Sequence, residues 1–274
     1  MRFNRDYELT IGIGAQQVVI KPPVRIVFDA CKSINGGLNK ITLKVYNLKE
    51  GTRLKLIKDK EDSDVYIPLV LKVGYADRLE TIFKGSVFVG RNIREGAEYQ
   101  SYIECQDGGT DYLTAHTSKT VDGGNVIDSL LQDLPNTAKG KITDIQALTR
   151  PKVLVGNTTK LIEQFVGDDE TWYIDNEQLY IIKDGEVVSA LTPVVSSDTG
   201  LLNTPENDLK KITFNTIMNP SLKIGGLCKL ISKTAPHLSG IYKIETINYK
   251  GDNYGDDWIQ SISGFLSSDY KVLK

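Results

Sequence analysis

Histidine and cysteine are scarce in this chain, with two of the first and three of the second in 274 residues. His116 and His237 stand in segments that share no sign of a common site, so they read as structural side chains, not as metal ligands or general bases. Cys31, Cys105 and Cys228 are odd in number, widely scattered and without C-x-x-C spacing. That argues against a disulfide framework and against a zinc knuckle, and fits buried small apolar residues in a reducing compartment. An excess of one charge is missing too: 33 Lys and Arg against 35 Asp and Glu leave a formal charge of -2. Basic residues are interspersed with acidic ones in runs such as Lys55 to Asp64, which gives neither the clustered positive charge of a nucleic-acid footprint nor an acidic tail. No window approaches the ~18 apolar residues of a membrane span, and Met1 to Asp6 is charged with no signal-peptide core behind it. A soluble chain made in a cytoplasm is expected.

The acidic clusters at Asp59 to Asp64, at Asp168-Asp169-Glu170 and at Asp252 to Asp257 lack the spacing of a calcium loop and are expected to be solvated turns. Gly12-Ile13-Gly14 and Gly108-Gly109 lack both the dinucleotide fingerprint and the Lys-Ser/Thr of a phosphate loop, so they read as turns as well. The 13 tyrosines are scattered along strands, as packing residues are, with no positive charge beside them to make a stacking platform. No catalytic, cofactor-binding or metal-ligating residue is assigned, and no cofactor.

What is present is alternation. Val24, Ile26 and Phe28, then Ile41, Leu43 and Val45, then Ile67, Leu69, Leu71 and Val73 each recur with period two, the signature of half-buried strands. Turns are expected at Asn35-Gly36-Gly37, at Lys49-Glu50-Gly51 and at Gly74, with Gly85 and Gly90 as bulges or corners in the run Phe83 to Val89. Several short strands at this spacing favour a sandwich or barrel.

From Asp107 to Asp184 the pattern changes. Ile127, Leu130, Leu131 and Leu134 make a helical stripe capped by Asn125 and stopped at Pro135-Asn136. A second helix is expected from Thr158 to Val166, with Asn157 as its cap and Gly167 as a left-handed terminator. Trp172 to Ile182 reads as a hairpin around Asp175-Asn176. Strands and turns return after Gly185. Leu222 and Ile224 alternate with Lys223 between Asn219-Pro220 and Gly225-Gly226, predicting a short strand, and the polar stretch Ser196 to Asp208 predicts an exposed connection. The chain thus divides into residues 1–107, a first β domain; 108–184, a small helix-containing α+β insert; and 185–274, a second β domain. No clear repeat links the two β portions in sequence.

Several segments carry a resemblance. Gly200-Leu-Leu-Asn-Thr-Pro-Glu206, Asn219-Pro-Ser-Leu-Lys-Ile-Gly-Gly226, Gly240-Ile-Tyr-Lys-Ile244, and Gly251-Asp252 with Trp258 resemble the second β domain of baseplate hub proteins from contractile-tailed phages and related injection machines. Ile41-Thr-Leu-Lys-Val-Tyr-Asn-Leu48, Thr52-Arg53, Val73-Gly-Tyr75 and Ile82-Phe-Lys-Gly85 resemble the first. With Arg150-Pro151, Gly156 and the Trp172 hairpin between them, the likeness covers nearly the whole chain.

The resemblance implies a mainly β, α+β fold with two β-barrel-like hub domains of similar topology, each its own sheet. It also implies a non-enzymatic virion protein whose three copies form a ring of six related units around a channel, adapting a hexameric tail tube to a trimeric spike. Implied partners are the chain itself, the tube or tube-initiator protein, the central spike and baseplate wedge proteins, with DNA only in transit. No residue matches a lysozyme or peptidase motif. The alternative is a carbohydrate-binding or host-attachment β-module of a tail tip or fibre.

Overall fold

The computed structural model describes residues 4–62, 65–76, 78–145, 147–208, 211–267 and 271–273. Of the sequence features above, Met1 to Phe3 and Asp64 lie outside the described residues. The first β unit holds β1 (Arg5–Ile11), β2 (Val18–Ile20), β3 (Ile26–Ser33), β4 (Lys40–Tyr46), helix α1 (Glu50–Leu54), β5 (Pro68–Tyr75), β6 (Arg78–Glu95) and β7 (Glu98–Gln106). Then come α2 (Gly109–Thr114), β8 (His116–Val121), α3 (Val126–Leu131), β9 (Ala138–Ile142), β10 (Lys152–Asn157), α4 (Thr158–Glu163), β11 (Glu170–Asp175) and β12 (Gln178–Lys183). The rest holds β13 (Glu186–Val187), β14 (Val194–Ser196), β15 (Glu206–Asp208), β16 (Lys211–Ile217), β17 (Leu227–Ile231), β18 (Gly240–Asp252), β19 (Trp258–Leu266) and β20 (Lys271–Val272).

The fold is mainly β, as the alternation predicts. Among the described residues 13 strands join in one sheet, in the order β15, β16, β19, β18, β3, β4, β7, β6, β5, β1, β2, with β17 on the same edge of β18 as β3, along its first residues, and β14 beyond it. Period two buries one face: Ile26, Phe28 and Ala30 of β3, Ile41, Leu43 and Val45 of β4, Leu69, Leu71 and Val73 of β5, and Ile212 and Phe214 of β16 belong to one apolar cluster shared by both β units. The expectation of two separate sheets is therefore corrected. The far half of β18, Thr246 to Asp252, pairs antiparallel with β3, Ser33 to Val27, and makes the sheet continuous.

The expected likeness of topology is present, and it holds residue by residue. Strands β4, β7, β6 and β5 are hydrogen-bonded in that order, and so are β16, β19, β18 and β17. Ile41 faces Cys105 as Ile212 faces Gly264, and Ser86 faces Pro68 as Lys243 faces Leu227. One residue is bulged in each long strand at the same point, Phe88 in β6 and Glu245 in β18. The bond beside each bulge also repeats, Val87 N–H to Ile67 C=O at 2.8 Å and Ile244 N–H to Gly226 C=O at 2.9 Å. The triplet Lys40-Ile-Thr42 and the triplet Lys211-Ile-Thr213 occupy equivalent places. The copies part at the outer slot, where β1 runs antiparallel to β5 but β14 runs parallel to β17.

Between the β units, a second apolar cluster gathers Val126, Ile127 and Leu130 of α3, Leu161 and Ile162 of α4, and Trp172, Ile174, Leu179 and Ile181 of the hairpin. Both helices start where their caps predict: the Asn125 side chain accepts from Ile127 N–H at 2.9 Å, and that of Asn157 accepts from Thr159 N–H and Lys160 N–H at 3.1 and 3.2 Å.

Several local expectations are corrected. Helix α4 ends at Glu163, short of Val166, and Gly167 is not left-handed. The hairpin turns on Asn176-Glu177, both left-handed (φ 53 and 59), one residue later than expected. Lys49 to Gly51 opens α1 where a turn was expected. Gly74 lies within β5, packed where a Cβ would meet the Arg78 carbonyl. Gly85 and Gly90 flank the bulge at Phe88. Leu222 and Ile224 are buried but their segment is a pair of turns, with Leu222 N–H on Asn219 C=O and Gly226 N–H on Lys223 C=O. The polar stretch Ser196 to Asp208 is partly edge strand, since β15 pairs with β16.

Candidate assembly site

The seam between the two β units is built from side chains on both sides. Phe28 of β3 faces Gly251 of β18, and Gly251 in turn faces Trp258 of β19, whose ring meets Phe28 edge to face at 5.5 Å. The turn that follows β18 clips the start of β3. Arg25 pairs with Asp252 at 2.8 Å, the Asn253 side chain accepts from Ile26 N–H at 2.8 Å and donates to Val24 C=O at 3.0 Å, and Tyr254 O–H donates to Pro23 C=O at 2.8 Å. Partial burial pushes the Asp252 carboxyl up, but Arg25 and the N–H groups of Tyr254 and Gly255 outweigh it and hold the group below the usual carboxylate range. Of the acidic run Asp252 to Asp257, the first member is thus a clamp, not the solvated turn residue expected of it.

A second joint fixes the Trp172 hairpin to the first β unit. Asp107, fully buried after β7, accepts from Asn176 N–H at 2.5 Å and Glu177 N–H at 2.7 Å. Those two bonds hold the left-handed turn, where Glu177 is an unfavourable residue. Lys32, also buried, is ion-paired with Asp175 and donates to the Asn176 side chain at 2.9 Å. Glu177 accepts from Tyr66 O–H at 2.5 Å and pairs with Lys84 at 3.0 Å. Burial pushes Asp107 well above the usual carboxylate range, with the charge of Lys32 opposing it. Sequence reasoning missed this joint, although Lys32 falls on the inward parity of Ile26, Phe28 and Ala30 and was in that respect visible.

The residues weighed for chemistry are dispersed. His116 is exposed at the start of β8, and His237 is exposed in a short turn of the second β unit, beside a groove it shares with Asn207, Tyr242 and Phe265. Cys105 and Cys228 are buried, and burial pushes the Cys228 thiol up to about 12. Cys31 is exposed, contrary to expectation, because the parity that turns Phe28 and Ala30 inward turns Asp29 and Cys31 outward. Gly108 is left-handed ahead of α2, a helix of six residues, and a Cβ there would lie 2.8 Å from Ile174 Cδ1; its absence serves packing. Glu170 receives Gly167 N–H at 3.0 Å, and Asp59 and Asp62 lie in turns. Among the described residues no group of three His, Cys, Asp or Glu is placed to hold a metal ion, and no helix is long and apolar enough to cross a membrane.

The fold, a duplicated β unit within one continuous sheet, is one found in tail proteins. A tail protein of 43 kDa from prophage MuSo2 of Shewanella oneidensis is similar over 94% of this chain and 98% of its own, with a TM-score of 0.64 at 9% identity. The tail protein from Neisseria meningitidis MC58 is similar over 94% and 96%, with a TM-score of 0.61 at 9% identity. The c3393 protein of E. coli, described as a component of the type VI secretion system with structural similarity to the T4 bacteriophage tail proteins gp27 and gp5, is similar over 92% of this chain and 76% of its own, with a TM-score of 0.66 at 7% identity. No curated protein matches the sequence. The family model for the baseplate hub gp41 matches residues 7–262, and the chain belongs to that family. It is a structural protein of the phage tail baseplate.

Proposed function

We propose that three copies of this chain form a closed ring around a central channel, which joins the tail tube on one face to the central spike on the other. The observation that carries this reading is the duplication: two β units with the same strand order, register and bulge in one chain. Although the two units share one sheet and part at the outer slot, three such chains would present six related units to a six-fold tube while keeping three-fold symmetry for a trimeric spike. Baseplate wedge proteins would surround the ring, and assembly would take place in the host cytoplasm. The role is architectural, without enzymatic chemistry, and DNA passes through without being held. Light scattering of the purified chain and electron microscopy of the particle test the proposal. A trimeric annulus with a central hole is expected, and a stable dimer in both would overturn it.

A further inference from the structure

Among the described residues the two β units of one chain meet through a single strand pairing, the outer edge of β3 on the far half of β18. The repeated register identifies the equivalents of both partners. Strand β15 stands for β3, because Glu206, Asn207 and Asp208 face Thr213, Ile212 and Lys211 as Asp29, Ala30 and Cys31 face Thr42, Ile41 and Lys40. The far half of β6 stands for the far half of β18, since counting from the two bulges sets Arg91, Asn92 and Ile93 against Asn248, Tyr249 and Lys250. The chain therefore carries one further edge of each kind.

Among the described residues neither edge has a strand partner. On β6, Lys58 exchanges both backbone bonds with Gly90, at 3.1 and 2.9 Å, and ends the cover there. By the alternation of an antiparallel ladder, the next outward N–H and C=O groups on that edge belong to Asn92 and Arg94. Within a chain the two edges are not paired with each other: six strands lie between β15 and β6, seven steps and a path of about 34 Å along the sheet at about 4.8 Å per step.

We infer that β15 of one copy adds antiparallel to the far half of β6 of a second copy, with Asp208 opposite Arg91, Asn207 opposite Asn92 and Glu206 opposite Ile93. The register is that of the internal seam carried over. Charge supports it independently: all three residues of β15 are exposed and two are acidic, while the β6 edge offers exposed Arg91 and Arg94 beside an Ile93 that is 42% exposed. The interface is head to tail, and repetition closes a ring when the rotation matches. This inference rests on the ring reading above and names the surface through which that ring closes.

The test is a cysteine pair placed across the seam, Ile93→Cys with Glu206→Cys, in a Cys31→Ser background that removes the exposed native thiol. Under mild oxidation, the purified chain and assembled tails are expected to give a covalent ladder ending at the closed ring, while each single variant gives none. In parallel, Arg91→Glu and Asp208→Arg should each lower oligomer yield by mass photometry at least tenfold, and the two together should restore it. Oligomers without cross-linking at this pair, or without rescue by the double exchange, would overturn the edge assignment and leave the ring standing. The absence of any oligomer, both in solution and in tails, would overturn the ring and this inference with it.

Discussion

Phe28 lies directly on Gly251, across the strand pair that joins the two β units; a Cβ at residue 251 would come within 2.2 Å of the Phe28 ring. The ring replaces the side chain that the glycine lacks and carries the core through to Trp258. Gly251→Ala is expected to cost about 1–3 kcal/mol by overpacking, read as a lower midpoint in chemical denaturation. Gly37→Ala is the control: a Cβ there meets nothing within 4 Å, so a change within about 0.5 kcal/mol is expected.

The hairpin joint depends on Asp107 in a comparable way. Asp107→Ala leaves the N–H groups of Asn176 and Glu177 unpaired in a left-handed turn. A loss of about 2–4 kcal/mol is expected. The midpoint of chemical denaturation checks this; an unchanged midpoint in Asp107→Ala would remove the joint from the account.

Much of this was legible in the sequence. Period two in Ile41, Leu43 and Val45 fixed both the strand and its buried face, and Asn125 and Asn157 announced their helices. The duplication was not legible, because register is a property of pairs. Cys105 and Gly264, or Phe88 and Glu245, share nothing as residue types, yet they hold the same positions in the ladder. The shared triplet Lys-Ile-Thr gave no usable signal, since it recurs a third time as Lys141-Ile-Thr143, reaching the end of β9 outside the duplication. The sheet's continuity escaped for a related reason: β18 is simply a long alternating strand, and only its pairing reveals that one edge serves β17 with its first half and β3 with its second.

Acid should weaken the seam at Asp252. Its carboxyl sits below the usual range in the fold, so the stabilisation it brings is present above the unfolded value of about 3.9 and is lost as pH falls through the lowered folded value. The pair with Arg25 is partly exposed, and about 0.5–1 kcal/mol is a reasonable size. Stability curves of the native chain and Asp252→Asn should therefore differ by that amount at pH 7 and converge as pH drops below about 4. A gap that persists or grows in acid would contradict the assignment.

His116→Ala and His237→Ala, singly and together, are expected to leave folding within about 0.5 kcal/mol and particle infectivity intact, because both side chains are exposed and lie in different units. Loss of infectivity in particles that assemble normally would reveal chemistry at one of them.

The final prediction concerns nucleic acid. Affinity for duplex DNA comes chiefly from Lys and Arg displacing condensed counterions, each neutralised phosphate adding about 0.9 to the log-log salt slope. Here 33 basic residues are balanced by 35 acidic ones, and the fold pairs several of them off: Lys21 and Lys72 on Glu8, Lys84 on Glu177, Lys119 on Asp133, and Lys139 on Asp128. A conduit that releases a genome quickly gains nothing from holding it. Binding no tighter than about 10⁻⁴ M at physiological salt is expected, in the weak nonspecific range, together with a channel wall that is neutral or acidic. Fluorescence anisotropy with labelled duplex over a salt series measures it. Micromolar binding with a steep slope would mean that folding gathers a basic track from a balanced composition, and the channel would then retain DNA instead of merely passing it.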